Sequence, residues 1–127
     1  MGRAVAFQPP DLTDIIDRAA KDWRWSPTQK KQARVWYERF LELVYDHPGG
    51  MVYIITPEAD QLWHTHITFT VRYREYCDGI LGFYLEHTPD KYAPTPTAKL
   101  VAAVKGVYAA KNWPTSDINS RSLTSCH

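Results

Sequence analysis

Apolar side chains recur along this chain at the three- and four-residue spacing of amphipathic helices. A first helix is predicted from an Asp11 cap to about Trp23. Its predicted buried stripe consists of Leu12, Ile15, Ile16, Ala19 and Trp23. A second helix is predicted from Ser26-Pro27-Thr28-Gln29, which has the residue order of a capping box with proline at the first helical position. Its stripe consists of Ala33, Trp36, Tyr37, Phe40, Leu41 and Val44, and the helix should stop at Asp46-His47-Pro48-Gly49-Gly50.

Residues 51–55 are apolar and bounded by breakers, so they predict one short extended segment. Thr56-Pro57 repeats the cap-plus-proline start, and a third helix, the longest element, is predicted from Pro57 to about Gly79. The three prolines within residues 88–96 would interrupt a helix, so this stretch is predicted to be a loop.

A fourth helix is predicted from about Thr97, ending before Trp113-Pro114. Its apolar side consists of Leu100, Val101, Val104, Val107 and Tyr108. The polar residues beyond Pro114 lack periodicity and predict disorder. The pattern therefore predicts an all-α, single-domain bundle of four main helices over residues 1–114, with one short extended segment, and a disordered polar tail over residues 115–127.

Composition narrows the class of protein without indicating a function. The 127 residues, 44% of them hydrophobic, are enough for an ordinary core, and a formal net charge of +1 excludes partners bound mainly by charge, such as nucleic acid or anionic lipid. No apolar stretch reaches the roughly 20 residues of a membrane helix. Cys77 and Cys126 do not suggest a disulfide framework, so we expect a cytoplasmic protein.

Unusual side chains concentrate in the predicted third helix. Their spacing of three, four, three and four residues places five of them on one stripe: Trp63, His66, Thr70, Tyr73 and Cys77. Apolar residues flank this stripe on both sides, so it is predicted to face inward, where polar groups need hydrogen-bond partners. Trp63 should therefore be buried beside His66.

Two metal sites are compatible with these residues. Asp60 and His64 lie one helical turn apart, and His87 from the following loop could complete a site. The second candidate places His66 with Tyr73 and Cys77 and could also use His87. A regular helix separates His64 and His66 by about 160°, so one ion could bind both only if the helix start is unwound.

Structural explanations compete with each of these sites. A buried His66 bonded to Tyr73 or Thr70 would be an ordinary core histidine. Asp60 could serve the helix dipole alone, and a buried Cys77 most often behaves as a small hydrophobic side chain.

The sequence also resembles a known family. The residues that carry the likeness are Asp60-Gln61-Leu62-Trp63-His64-Thr65-His66-Ile67, Thr70, Tyr73, Tyr76-Cys77, Leu81-Gly82 and Leu85-x-His87-x-Pro89. They resemble the glycine-rich domain-containing protein-like family, a domain of unknown function, over roughly residues 20–114. The resemblance implies a helical fold and directs attention to Trp63, His64 and His66, but it implies no reaction. Plant members have a glycine-rich tail, whereas this chain has six glycines in all.

These residues support two functional hypotheses. The first is a small metal-dependent enzyme for an unidentified small molecule, with ligands among Asp60, His64, His66 and His87, and with zinc or ferrous iron as the ion. In that hypothesis Tyr73 or Cys77 assists proton transfer or contacts the substrate. The second is a non-catalytic module that binds a protein partner, in which the same polar residues form a structural network.

Overall fold

The computed structural model describes residues 5–48, 52–87 and 97–125. This part of the chain is mostly helical, in agreement with the predicted all-α class. Its α-helices are α1 (Thr13–Trp23), α2 (Pro27–Asp46), α3 (Pro57–Thr68), α4 (Thr70–Tyr76) and α5 (Ala98–Ala110). A π-helical turn, Cys77–Leu81, follows α4. The predicted loop over residues 88–96 lies outside the described residues.

Two short strands accompany the helices. Strand β1 (Tyr53–Ile55) confirms the predicted extended segment in its described part, and it pairs antiparallel with β2 (Leu123–Ser125). Helix α3 packs against both α1 and α2, and the buried side chains of these three helices supply most of the hydrophobic core. Every helix within the described ranges is too short or too polar to cross a lipid bilayer.

Helix α2 begins as the sequence predicts. The Ser26 hydroxyl accepts a hydrogen bond from the Gln29 backbone N–H at 3.2 Å, and the Gln29 side chain accepts one from the Ser26 N–H at 2.8 Å. All six predicted stripe residues of this helix are buried. With 20 residues, α2 rather than the third helix is the longest α-helix of the described chain.

Helix α1 differs from the prediction at both ends. Its N-cap is Leu12, although the Asp11 carboxylate accepts a hydrogen bond from the Thr13 N–H at 3.2 Å. Trp23 is 48% exposed instead of buried, because the chain leaves the helix at Arg24 in the left-handed conformation (φ 57°). The neighbouring Trp25 is buried instead, and its indole N–H donates to the Gln61 side-chain oxygen at 3.0 Å.

The predicted long third helix is divided at Phe69. In an uninterrupted helix the Phe69 N–H would bond to the Thr65 carbonyl, but the Thr68 hydroxyl donates to that carbonyl at 2.6 Å. The Phe69 N–H bonds to the His66 carbonyl at 3.0 Å, and the helix ends there. Helix α4 then continues the buried stripe with Tyr73, and Cys77 extends it at the start of the π-helical turn.

Thr70, at the start of α4, is exposed rather than on the buried stripe. The prediction of its inward position is therefore wrong: Thr70 begins a new helix after the break at Phe69, although Tyr73 and Cys77 of the same stripe remain buried. In α5, Val104 and Tyr108 are buried as predicted, whereas Val107 is exposed.

The segment after Pro114 contacts the rest of the domain where the structure describes it, and its predicted disorder stays a prediction. Ile118 is buried, and the Thr56 N–H donates to the Ser122 carbonyl at 2.9 Å, beside the β1–β2 pair. These contacts involve one buried isoleucine and a few backbone hydrogen bonds. Neither produces a hydrophobic periodicity, so the sequence pattern did not indicate them.

Replacement of Ile118 by alanine tests the contribution of this segment. Because the side chain is buried, Ile118→Ala should lower the free energy of unfolding by about 2 to 5 kcal/mol in denaturant titrations. The control Val107→Ala removes an exposed side chain and should change it by no more than about 0.5 kcal/mol. Equal small losses for both variants would contradict the placement of Ile118.

Candidate metal centre

Asp60, His64 and His87 converge on one side of α3, as the first of the two predicted sites requires. The Asp60 carboxylate lies between the two imidazoles, with Oδ1 2.9 Å from His87 Nε2 and Oδ2 3.5 Å from His64 Nε2. One potential ligand atom from each residue lies within 4.8 Å of the others. Elsewhere in the described chain, no other group of three His, Cys, Asp or Glu side chains converges this closely. We call these three residues the triad.

The triad lies at the boundary between core and solvent. The Asp60 and His87 side chains are only 16% and 11% exposed, whereas the His64 side chain is 54% exposed. Two members are thus held by surrounding protein and one faces outward. A ligand or ion can reach the site from the His64 side.

Ring contacts fix the imidazole of His87. Its ring centroid lies 4.0 Å from that of His64 and 4.2 Å from that of Trp63. Trp63 is fully buried beneath the site, so the prediction that it belongs to the core is confirmed. Its indole ring therefore provides a rigid surface on which His87 rests.

A hydrogen-bonded chain brings the segment that carries His87 back to α3. The Trp63 indole N–H donates to the Tyr73 hydroxyl at 2.9 Å, and that hydroxyl in turn donates to the Leu85 carbonyl. The π-helical turn ends at Gly82 in the left-handed conformation (φ 86°), which reverses the chain direction. We call Trp63, Tyr73 and Leu85 the anchor, because they hold the backbone two residues before His87.

His66 is not part of the triad. It is buried on another face of α3, where its Nδ1 lies 2.7 Å from the Tyr37 hydroxyl of α2. Its hydrogen-bond partner is therefore Tyr37 rather than the predicted Tyr73 or Thr70, although the Tyr73 ring packs against it edge-on. Helix α3 is continuous from Pro57 to Thr68, so His64 and His66 are not brought to one point by an unwound start.

Burial controls the charge of His66. Desolvation, with a smaller contribution from the positive charge of Arg72, lowers the pKa of His66 to about 4. The imidazole is therefore neutral at pH 7. The sequence gives an indirect indication that Tyr37 is the partner of His66. A tyrosine on a buried stripe needs a hydrogen-bond partner for its hydroxyl.

Tyr73 and Cys77, the two predicted catalytic residues, lie in the interior. Burial raises the pKa of the Tyr73 hydroxyl and of the Cys77 thiol, so both keep their protons at neutral pH. Cys77 is a free thiol outside the triad, and Tyr73 is linked to the triad indirectly, through Trp63, which contacts His87, and through the Leu85 carbonyl. Their predicted catalytic roles stay predictions.

The donor atoms of the triad suit a borderline divalent cation. Two imidazole nitrogens and one carboxylate oxygen form a common ligand set for catalytic zinc and for ferrous iron. Ligand atoms bound at zinc distances lie about 3 to 3.5 Å apart around a tetrahedral ion. The triad atoms lie within 4.8 Å of one another, so these three residues could hold one ion.

The burial of His66 predicts a pH dependence of stability. Its folded-state pKa of about 4 lies below the ordinary value of 6.5, so the unfolded chain binds a proton more readily. Protonation of His66 therefore has little effect on the free energy of unfolding above pH 6.5. As the pH falls to 4, it lowers the free energy of unfolding by about 3 kcal/mol. Denaturant titrations with a chelator present, on wild type and His66→Gln, should show this loss in the wild type alone. Parallel pH profiles would contradict the prediction.

Removal of the Trp63 ring tests the support beneath His87. Because the indole is fully buried, Trp63→Ala should lower the free energy of unfolding by about 3 to 5 kcal/mol. Val71→Ala on the exposed side of α4 is the control and should change it by less than about 0.5 kcal/mol. A loss below about 1 kcal/mol for Trp63→Ala would show that this ring is not in the core.

Comparison with family models identifies the domain. The UCP032817-like family model matches residues 10–124, which is most of the chain, so the protein belongs to this family of uncharacterised domains. The match supports the predicted domain of unknown function. It does not confirm the resemblance to the glycine-rich domain-containing protein-like family. Comparison with curated proteins and with solved structures found no match.

Proposed function

We propose that this member of the UCP032817-like family is a small metal-dependent enzyme that acts on an unidentified small molecule. The observation that carries the proposal is the convergence of Asp60, His64 and His87, with ligand atoms within 4.8 Å of one another. The exposed His64 also lines a cleft of about 550 Å³, which gives a small molecule room beside the ion.

Zinc or ferrous iron fits the proposed ligand set. A divalent ion held by two imidazoles and one carboxylate keeps coordination positions for water or substrate and acts there as a Lewis acid. In this proposal Asp60 supplies the carboxylate ligand, His87 is the fixed imidazole ligand, and His64 is the ligand at the solvent side. His66 is left out of the ligand set because its Nδ1 bonds to Tyr37.

Tyr73 receives a positioning role in the proposal. Its hydroxyl bonds both to Trp63 and to the Leu85 carbonyl, so it holds the two groups on which the position of His87 depends. Outer groups that orient metal ligands typically change metal affinity by 10- to 100-fold when they are removed. Cys77 lies beside Tyr73 and Leu85 of the anchor, and it is given no catalytic step in the proposal.

A second function, a non-catalytic module that binds a protein partner, is favoured by a different observation. The buried polar groups are satisfied in pairs, through Tyr37 with His66 and through the anchor residues. Satisfied networks of this kind rigidify a core without any chemistry. Metal binding by the triad distinguishes the two functions, because the buried pairs do not need it.

Calorimetric titration of tag-free protein with Zn²⁺ tests the proposal. Wild type should bind one ion, and Asp60→Asn, His64→Ala and His87→Ala should each weaken binding by at least about tenfold, since each removes a ligand. His47→Ala is the matched control, because His47 is an exposed histidine outside the triad and should leave the affinity unchanged.

Thermal melting provides the second measurement. An ion that binds only the folded state stabilises it, by about 2.7 kcal/mol at 100 times its dissociation constant. Chelator should therefore lower the melting temperature of wild type and leave that of His64→Ala unchanged. Wild type that melts identically with chelator, Zn²⁺ or Fe²⁺ would overturn the metal site and leave the interaction module as the function.

A further inference from the structure

The cleft beside the triad lies between α1 and α3. His64 forms part of one wall, together with Phe69 at the end of α3, and Arg18 and Trp23 of α1 line the same space. Its volume of about 550 Å³ is within the range of small-molecule sites. The cleft is therefore large enough for a ligand that reaches from α1 to the metal centre.

Trp23 gives the cleft an aromatic surface. Its side chain is 48% exposed, although large apolar side chains are normally covered in a soluble domain. Phe69 in the same cleft is half-buried. Flat apolar rings of this kind contact planar ring systems efficiently, because both surfaces leave water with little loss of conformational freedom.

Arg18 gives the cleft a directed cation. Its Nε–H donates at 2.9 Å to the carboxylate of Asp22, which also lines the cleft and offsets part of the charge of Arg18. That contact uses one of the five guanidinium N–H groups, and the two terminal nitrogens make no hydrogen bond with any described residue. A guanidinium fork binds carboxylates through two parallel hydrogen bonds.

The triad end of the cleft would also favour an anionic ligand once a divalent cation is bound there. The Asp60 carboxylate is the one acidic member of the triad, and the two imidazoles are neutral as metal ligands. A divalent cation there retains a net positive charge that the ligands do not cancel. Arg18 and the ion would thus attract acidic groups from two directions.

We propose that the cleft binds a small aromatic carboxylate, with its ring against Trp23 and its acid group between Arg18 and the metal centre. The inference rests on the proposed metal-dependent function, because it uses the ion at the triad as one of the two positive groups. It adds the class of substrate, which the triad alone does not indicate.

Benzoate is the probe for this inference, with two matched compounds that each lack one feature. Benzamide keeps the ring and loses the charge, and cyclohexanecarboxylate keeps the charge and loses the flat ring. The protein is first titrated with Zn²⁺, and the zinc-loaded protein is then titrated with each compound by ligand-observed NMR and calorimetry. Benzoate should bind at least about tenfold more tightly than either analogue, as expected for loss of a charge-assisted pair or of ring contact.

Two variants locate the bound probe. Arg18→Gln and Trp23→Ala should each weaken benzoate binding by about tenfold while leaving the Zn²⁺ affinity unchanged, because neither residue belongs to the triad. Arg34→Gln is the control, since Arg34 is exposed on α2 and does not line the cleft. Both variants alter exposed side chains, so they are expected to fold.

The outcomes separate the two proposals. Failure of wild type to bind Zn²⁺ in the first titration overturns the metal-dependent function and the inference with it. Normal Zn²⁺ binding without benzoate binding, or benzoate binding that Arg18→Gln and Trp23→Ala leave unchanged, overturns the inference alone. Equal binding of benzoate and benzamide would also overturn it, because the acid group would then have no partner.

Discussion

The hydroxyl of Tyr73 is the group on which the candidate site depends. It accepts the indole N–H of Trp63 and donates to the carbonyl of Leu85, so one buried oxygen joins α3, α4 and the segment that leads to His87. Each of these groups would otherwise be a buried polar atom without a partner, at a cost of about 1 to 3 kcal/mol. The position of His87 is thus determined inside the core, although the triad itself opens to solvent.

The sequence predicted the helical elements well where a local interaction sets them. The capping box at Ser26 needs only four consecutive residues, and the stripe of α2 needs only its own periodicity. The break at Phe69 was not predictable in this way, because it depends on which donor takes the Thr65 carbonyl. The exposure of Trp23 likewise depends on where α1 ends, and the final residue of a helix is poorly determined by its own sequence pattern.

The candidate site was predictable only where its geometry depends on residues close together in the sequence. Asp60 and His64 are neighbours on any regular helix, so their pairing follows from spacing alone. The approach of His87 requires a reversal of the chain, and neither the π-helical turn nor the Leu85 carbonyl has a sequence signature. The partner of His66 comes from a different helix, and side-chain spacing along α3 carries no information about Tyr37.

The pairing of β1 with β2 affects how the chain folds. Ile54 lies opposite Thr124, so this contact closes a loop of about 70 residues. The entropy lost in closing so long a loop grows only with the logarithm of its length, and burial of side chains such as Ile118 helps to offset it. The hydrogen bond from Thr56 to Ser122 lies at this closure, at the first turn of α3. The start of the helix that carries Asp60 and His64 is therefore linked, through this non-local backbone contact, to the C-terminal part of the described chain.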